Sequence, residues 1–115
     1  MTHHNLTIEA FVKLGEFLRT FCEFITSDSN SAQINDEWTA LFKAEIEMAQ
    51  HHNGWFSEEN CLHAFQEWGN ILTRENLEAW LKTYDLTSNK EKVVALIMAG
   101  NIPLVGFHDL LCVLI

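Results

Sequence analysis

One asparagine in this sequence is placed where a side-chain amide could take part in chemistry. Asn101 follows the apolar run at residues 93–98, in the segment Gly-Asn-Ile-Pro at residues 100–103. Ligands of open α/β sheets collect beyond the carboxyl ends of strands, and an amide N–H placed there can stabilise a developing negative charge by about 3–4 kcal/mol. The same amide could instead satisfy backbone groups of a turn before Pro103. The residues alone leave both roles open.

Two glycines near this position could bring the backbone close to a phosphate group. Gly100 and Gly106 lack a Cβ, which permits such an approach. Their spacing does not match the GxGxxG pattern of dinucleotide-binding loops. The pattern therefore does not favour a direct phosphate role.

The cysteines offer a nucleophile only if one of them is exposed and activated. Cys22 and Cys61 fall on apolar helical stripes, and Cys112 lies in an apolar stretch with no activating base recognised beside it. A thiol buried among apolar groups has a raised pKa and is inert. We therefore expect all three to be core residues. Their odd number, with no CxxC pair and no signal peptide, favours a reducing, cytoplasmic setting over a disulfide framework.

The six histidines do not form a recognisable metal site. His3 and His4, like His51 and His52, are adjacent in sequence, and adjacent helical residues point about 100° apart. His63 has no histidine partner four residues further on, and no Cys–His spacing fits zinc. We expect surface histidines and no bound metal.

The charge balance argues against two classes of partner. Sixteen acidic and seven basic residues give a formal net charge of −9. Such a field repels phosphate backbones and anionic lipid surfaces, which makes nucleic-acid binding unfavourable. The apolar stretch near the C-terminus is interrupted by His108 and Asp109 and is too short for a membrane span.

Apolar residues recur at helical spacing through the first 84 residues. The pattern predicts four amphipathic helices, at residues 7–26, 35–51, 58–72 and 74–84. Ser57 and Thr73 are the expected N-caps of the third and fourth helices, and Tyr84 is expected in the core. The residues predicted on the inner side of the second helix are Trp38, Leu41, Phe42, Met48 and Ala49.

The sequence changes character after residue 84. Residues 85–92 are polar and indicate a linker. Residues 93–98, VVALIM, form a continuous apolar run, which predicts a strand covered on both faces. After a turn, residues 104–115 are predicted to form an apolar helix. The expected fold class is mainly α: a helical bundle at residues 1–84, followed by one strand and one helix at residues 93–115 that begin an α/β domain.

The predicted strand has no companion in the sequence. Buried and unpaired ladder groups cost about 1–3 kcal/mol each, and one β–α unit is normally the opening of a larger domain. The apolar helix also runs to Ile115 without a C-cap. We therefore expect the chain to be a fragment of a longer protein.

Residues 94–115, VALIMAGNIPLVGFHDLLCVLI, resemble the bacterial acyl-CoA reductases of the LuxC type. Residues 55–84, WFSEENCLHAFQEWGNILTRENLEAWLKTY, resemble the helical region that precedes this motif in the same proteins. The likeness is most specific at residues 98–109, MAGNIPLVGFHD. It implies an aldehyde-dehydrogenase-like fold, in which NADPH reduces a fatty acyl-CoA to a fatty aldehyde through a cysteine thioester.

The resemblance also implies roles for individual residues. In the aldehyde dehydrogenase superfamily a strand ends in Trp-Asn-Phe-Pro, whose asparagine amide helps to hold the oxyanion. Residues 100–103 look like the counterpart, with Gly100 in place of the tryptophan and Ile102 in place of the phenylalanine. Asn101 is then the candidate oxyanion donor, and Gly100 and Pro103 are candidate cofactor-binding residues. The nucleophilic cysteine and most of the NADPH site would lie beyond residue 115.

Two functions follow as expectations. The first is the N-terminal part of an acyl-CoA reductase, inactive by itself and binding cofactor weakly or not at all. The second is a non-enzymatic helical module that binds a partner through residues 1–84. Such a module could form a homodimer through the strand and the apolar C-terminus.

Overall fold

The computed structural model describes residues 3–26, 37–87 and 90–115. Within them the chain is mainly helical, which confirms the expected helical bundle. The predicted start of the second helix at residue 35 lies outside the described residues, as do residues 88–89 of the predicted linker. The helices are α1 (His3–Thr26), α2 (Glu37–His52), α3 (Glu58–Ile71), α4 (Arg74–Leu81) and α5 (Phe107–Leu114).

Helix α1 is the central element, and α3 packs along it. Two glycines let the helices approach closely. A Cβ on Gly15 would collide with the carbonyl group of Leu72, and a Cβ on Gly69 would lie 3.0 Å from Cγ of Arg19. The Arg19 guanidinium donates hydrogen bonds to the carbonyl oxygens of Gly69 and Leu72. These carbonyls lie at the end of α3, where a cation also complements the helix dipole.

The buried side chains of α1 enter two hydrophobic clusters. Each cluster joins residues far apart in sequence, so it ties several helices together. The predicted division of the chain at residues 85–92 stays a prediction. The first cluster contains Ile8, Phe11, Leu72, Leu77, Phe107, Leu111 and Ile115. The second contains Leu18, Phe21, Cys22, Ile46, Cys61 and Phe65.

The predicted N-caps of α3 and α4 are confirmed. The Ser57 hydroxyl oxygen accepts a hydrogen bond from the backbone N–H of Asn60 at 3.2 Å. The Thr73 hydroxyl oxygen accepts one from the backbone N–H of Asn76 at 3.2 Å. Each bond satisfies a donor that the first helical turn cannot pair internally. The caps therefore explain where both helices begin.

The inner face of α2 was predicted correctly only in part: Phe42 packs against the second cluster, but three of the other predicted residues do not. Thr39 and Ile46 are buried, whereas Trp38, Leu41 and Met48 are 70%, 52% and 50% exposed. Helix α2 carries apolar residues on two faces, and only one of these faces packs against the core. Its periodicity therefore indicated a helix without deciding which face enters the core.

Helix α4 is shorter than predicted and ends at Leu81. The backbone N–H of Tyr84 donates to the Leu81 carbonyl at 3.0 Å, which makes a turn in place of further helix. The hydroxyl and the backbone N–H of Thr87 then donate to the Asp85 carboxylate, and these bonds lower its pKa. Such a polar turn competes with helix continuation. Tyr84, which was expected in the core, is exposed.

The apolar run at residues 93–98 forms neither helix nor strand, and no strand occurs in the described residues. Val93 and Ile97 are 104% and 101% exposed. A strand needs a neighbour to pair its ladder hydrogen bonds, and the described part of the chain provides none. Among the described residues, the run therefore lacks the burial on both faces that its composition predicts.

Candidate functional site at residues 100–106

A turn at residues 100–106 leads from the exposed apolar run into α5. Leu104 has a φ of 60°, in the left-handed region, which costs a non-glycine residue about 1–2 kcal/mol. The backbone N–H of Phe107 donates to the Leu104 carbonyl at 3.0 Å. Because a left-handed residue interrupts the helical path, the helix predicted at residues 104–115 begins only at Phe107.

Asn101 is exposed on this turn, and its side-chain amide makes no hydrogen bond to any residue that the structure describes. The neighbouring carbonyl of Gly100 accepts a hydrogen bond from Nδ2 of Asn53 at 2.5 Å. Oδ1 of Asn53 accepts one from the backbone N–H of Trp55 at 3.0 Å. The turn is thus attached to the connection between α2 and α3, while the Asn101 amide remains available to donate.

Asn53 is a site residue that the sequence analysis missed. Its position before Gly54 indicated only a helix end. Its contact with Gly100 joins residues 47 positions apart, and no local pattern encodes such a contact. Among the described residues, it is Asn53 rather than Asn101 that satisfies a backbone group of the turn.

An apolar cavity of about 200 Å³ lies beside the turn. Binding pockets for whole small molecules usually measure about 300–1,000 Å³. The cavity therefore suits a short apolar portion of a ligand better than a whole one. Its lining comes from the end of the apolar run, from the turn, from α5 and from the α2–α3 connection, and includes Phe56, Met98, Ile102, Leu104, Val105 and Leu110.

The two predicted cofactor-binding residues differ in accessibility. Gly100 is exposed, and a Cβ there would meet nothing within 4 Å. Pro103 is buried and has no N–H to donate. Gly106 is packed under Met98, since a Cβ at Gly106 would lie 2.8 Å from the methionine sulfur. Gly100 is thus open to a ligand, whereas Pro103 can act by shaping the turn.

The cysteines fall into two environments. Cys22 and Cys61 are buried, and burial raises the pKa of both thiols, which confirms them as core residues. Cys112 is exposed, and its Sγ lies 3.7 Å from Nδ1 of His108. The expectation of a buried Cys112 without a neighbouring base is wrong, because α5 turns its other face to the core. The spacing of four residues was the available sequence signal.

The histidines also differ from one another. Those of α2 and α3 are exposed, as expected. His4 is half-buried, and its Nδ1 and Nε2 lie 2.8 and 2.9 Å from the backbone oxygens of Ile115 and Leu86. The ring ties the start of α1 to the segment after α4 and to the end of α5, so His4 is not a free surface residue. In the described ranges, no three histidine, cysteine or acidic side chains are grouped so as to hold a metal ion.

Comparisons of this chain with protein-family models, with curated proteins and with solved structures found no match. Of the helices in the described part of the chain, none is both long and apolar enough to cross a bilayer.

Proposed function

We propose that this chain is the N-terminal part of an acyl-CoA reductase of the LuxC type. The full enzyme would reduce a fatty acyl-CoA to a fatty aldehyde with NADPH, through a thioester on a cysteine outside these residues. The observation that carries the proposal is the Asn101 amide, which is exposed and unpaired among the described residues, on a turn whose residues from Ile102 onward line an apolar cavity. The motif at residues 98–109 supports membership of this family. The unpaired amide supports the role of oxyanion donor that the motif implies for Asn101.

Asn101 would donate its side-chain N–H to the oxyanion that forms when the thiolate attacks the acyl carbonyl. The hydrogen bond from Asn53 to the Gly100 carbonyl restrains the backbone next to this donor. A restrained donor needs less reorganisation in the transition state than a mobile one. The apolar cavity would receive part of the acyl chain, Gly100 would leave room for the cofactor, and Pro103 would maintain the turn.

The exposed run at residues 93–98 is consistent with the same proposal. Val93 and Ile97 are branched apolar residues in full contact with solvent, which is unfavourable unless another part of the enzyme covers them. In an aldehyde-dehydrogenase-like sheet, neighbouring strands would pair with this run and helices would cover both faces. The run would then become the strand that its composition predicts.

The test uses the full product of the reading frame that encodes these residues. We expect that product to oxidise NADPH only when a long-chain acyl-CoA is present, and the 115-residue chain alone to be inactive. Asn101→Ala should lower kcat about 100-fold, the typical loss for one oxyanion donor, with a smaller change in KM. The absorbance of the reduced nicotinamide reports both rates.

Asn70→Ala is the matched control, because Asn70 is an exposed asparagine of α3 rather than of the turn. Its rate should equal that of the unaltered enzyme. Turnover by the 115-residue chain alone would place the nucleophile within it and contradict the proposal. A full product without acyl-CoA-dependent oxidation of NADPH would refute the reductase assignment.

A second candidate is a non-enzymatic helical module that self-associates. The exposed apolar side chains of residues 93–98 favour it, because large exposed apolar patches mark interaction sites. The run at residues 93–98 would then pair with its twin across a twofold axis. The oligomeric state of the isolated chain discriminates between the two candidates.

A further inference from the structure

Helix α5 has one face in the core and one face in solvent. Phe107 and Leu111 are buried in the first hydrophobic cluster, whereas His108 and Cys112 are exposed. Residues four apart on a helix lie one above the other. The outer face of α5 therefore carries an imidazole and a thiol together.

These two side chains are in contact. Sγ of Cys112 lies 3.7 Å from Nδ1 and 3.9 Å from Nε2 of His108, within the range of a hydrogen bond to sulfur. The imidazole also packs against the indole of Trp80 from α4, with 6.1 Å between ring centroids and 47° between ring planes. This contact restricts the rotation of His108 and keeps it beside the thiol. The other titratable side chain of α5 is Asp109, which is exposed.

We propose that His108 and Cys112 form a reactive thiol–imidazole pair, and that Cys112 is a site of modification by small soluble disulfides. An imidazole beside a thiol favours the thiolate, which is the nucleophile in disulfide exchange. Because both side chains face solvent, a small disulfide reaches the sulfur without passing through a cavity. The site is independent of the proposed reductase function.

The exchange balances without a further oxidant. His108 accepts the Cys112 proton, and the thiolate sulfur attacks one sulfur of the disulfide. The S–S bond of the disulfide breaks as a new S–S bond forms to Cys112. The leaving thiolate takes the proton from the imidazolium and departs as a thiol. One protein thiol and one disulfide thus give one mixed disulfide and one thiol.

The other two cysteines serve as internal comparisons. Cys22 and Cys61 are buried, and burial raises the pKa of both thiols. Low access and a low thiolate fraction both slow the exchange. A small disulfide in excess should therefore form one adduct per folded chain, at Cys112.

The experiment exposes the folded chain to cystamine, a cationic disulfide that the net charge of −9 does not repel. Mass spectrometry of the intact protein follows adduct formation, and peptide mapping locates the adduct. His108→Gln removes the base and keeps an uncharged polar side chain of similar size. We expect this variant to react about 5- to 10-fold more slowly near pH 7. The difference should shrink toward about pH 9, where a free thiol ionises without a base.

His63→Gln is the matched control, because His63 is exposed on α3 and has no cysteine four residues away. It should react like the unaltered chain, and circular dichroism checks that each variant is folded. Equal rates for His108→Gln and the unaltered chain at every pH would refute the claim that His108 makes the Cys112 thiol reactive. An adduct on Cys22 or Cys61 in preference to Cys112 would refute the site.

Discussion

Gly15 lies in the interior of α1, where glycine normally destabilises a helix by about 1 kcal/mol relative to alanine. The Leu72 carbonyl occupies the space that a side chain at residue 15 would need. Leu72 is itself buried, and its carbonyl accepts a hydrogen bond from Arg19. The backbone opposite Gly15 is therefore held in place from more than one side.

Gly15→Ala should lower the free energy of unfolding by about 1–3 kcal/mol, because the new methyl group has to displace backbone rather than a flexible side chain. Gly54→Ala is the control, since a Cβ there meets no atom within 4 Å. It should change stability by less than about 0.5 kcal/mol. Urea unfolding followed by circular dichroism measures both. If Gly15→Ala were as stable as the control, the close contact between α1 and the Leu72 backbone at the end of α3 would be disproved.

At the scale of the element, α4 depends on its surroundings. It has 8 residues, and isolated helices shorter than about 12 residues are marginal in water. The cap from Thr73 and the burial of Leu77 compensate for its short length. An ion pair between Arg74 and Glu9 also links α4 to α1. Both side chains of this pair remain substantially in solvent, where such pairs contribute little.

Thr73→Ala should lower the free energy of unfolding by about 1 kcal/mol, because the N–H of Asn76 loses its acceptor. Thr73→Ser keeps the hydroxyl and should be close to the unaltered chain. Thr20→Ala, at an exposed position within α1, should not destabilise, since alanine has the higher helix propensity. Thermal unfolding compares the three variants. Equal losses for the alanine and serine variants at residue 73 would argue against the cap.

At the scale of the whole molecule, the large net charge and the exposed apolar surface have opposite effects on self-association. The charge of −9 keeps copies of the chain apart, whereas Val93 and Ile97 favour contact between them. Salt shifts this balance, because it screens the repulsion and leaves apolar contacts intact. Ionic strength is therefore the condition that best reveals self-association.

If the chain is the self-associating module, it should associate more strongly in about 0.5 M than in about 0.05 M salt. The double variant Val93→Thr with Ile97→Thr keeps β-branched, uncharged side chains but removes apolar surface, so it should weaken the dimer at least about tenfold. Leu41→Gln, on the outer face of α2, should leave the dimer unchanged. Sedimentation equilibrium measures each case.

A monomer at both salt concentrations would refute the self-associating module and favour the reductase fragment. Loss of the dimer in Leu41→Gln, with the threonine variant unaffected, would place the interface on α2 and contradict pairing through residues 93–98.

The local parts of the fold and of the site were accessible from sequence. Ser57 and Thr73 were predicted as caps correctly, because a cap is decided by a hydroxyl and a backbone N–H three residues further on. The inner face of α2 was predicted only in part, since Trp38 and Ile46 are both apolar and the neighbouring helices decide which one is covered. For the site, Asn101 was named from its motif. The turn that carries Asn101 is held by a hydrogen bond from Asn53 to Gly100, and this contact depends on the folded chain.

The sequence by itself determined the helical character of this protein, its acidic surface and the position of its caps, because these depend on composition and on residues a few positions apart. The tertiary structure alone decided which apolar residues are covered, that most of residues 93–98 lie exposed, and that Cys112 meets His108 in solvent rather than in the core. The physical reason is that burial depends on which surfaces meet. The same apolar run can be core or surface depending on whether another element lies against it.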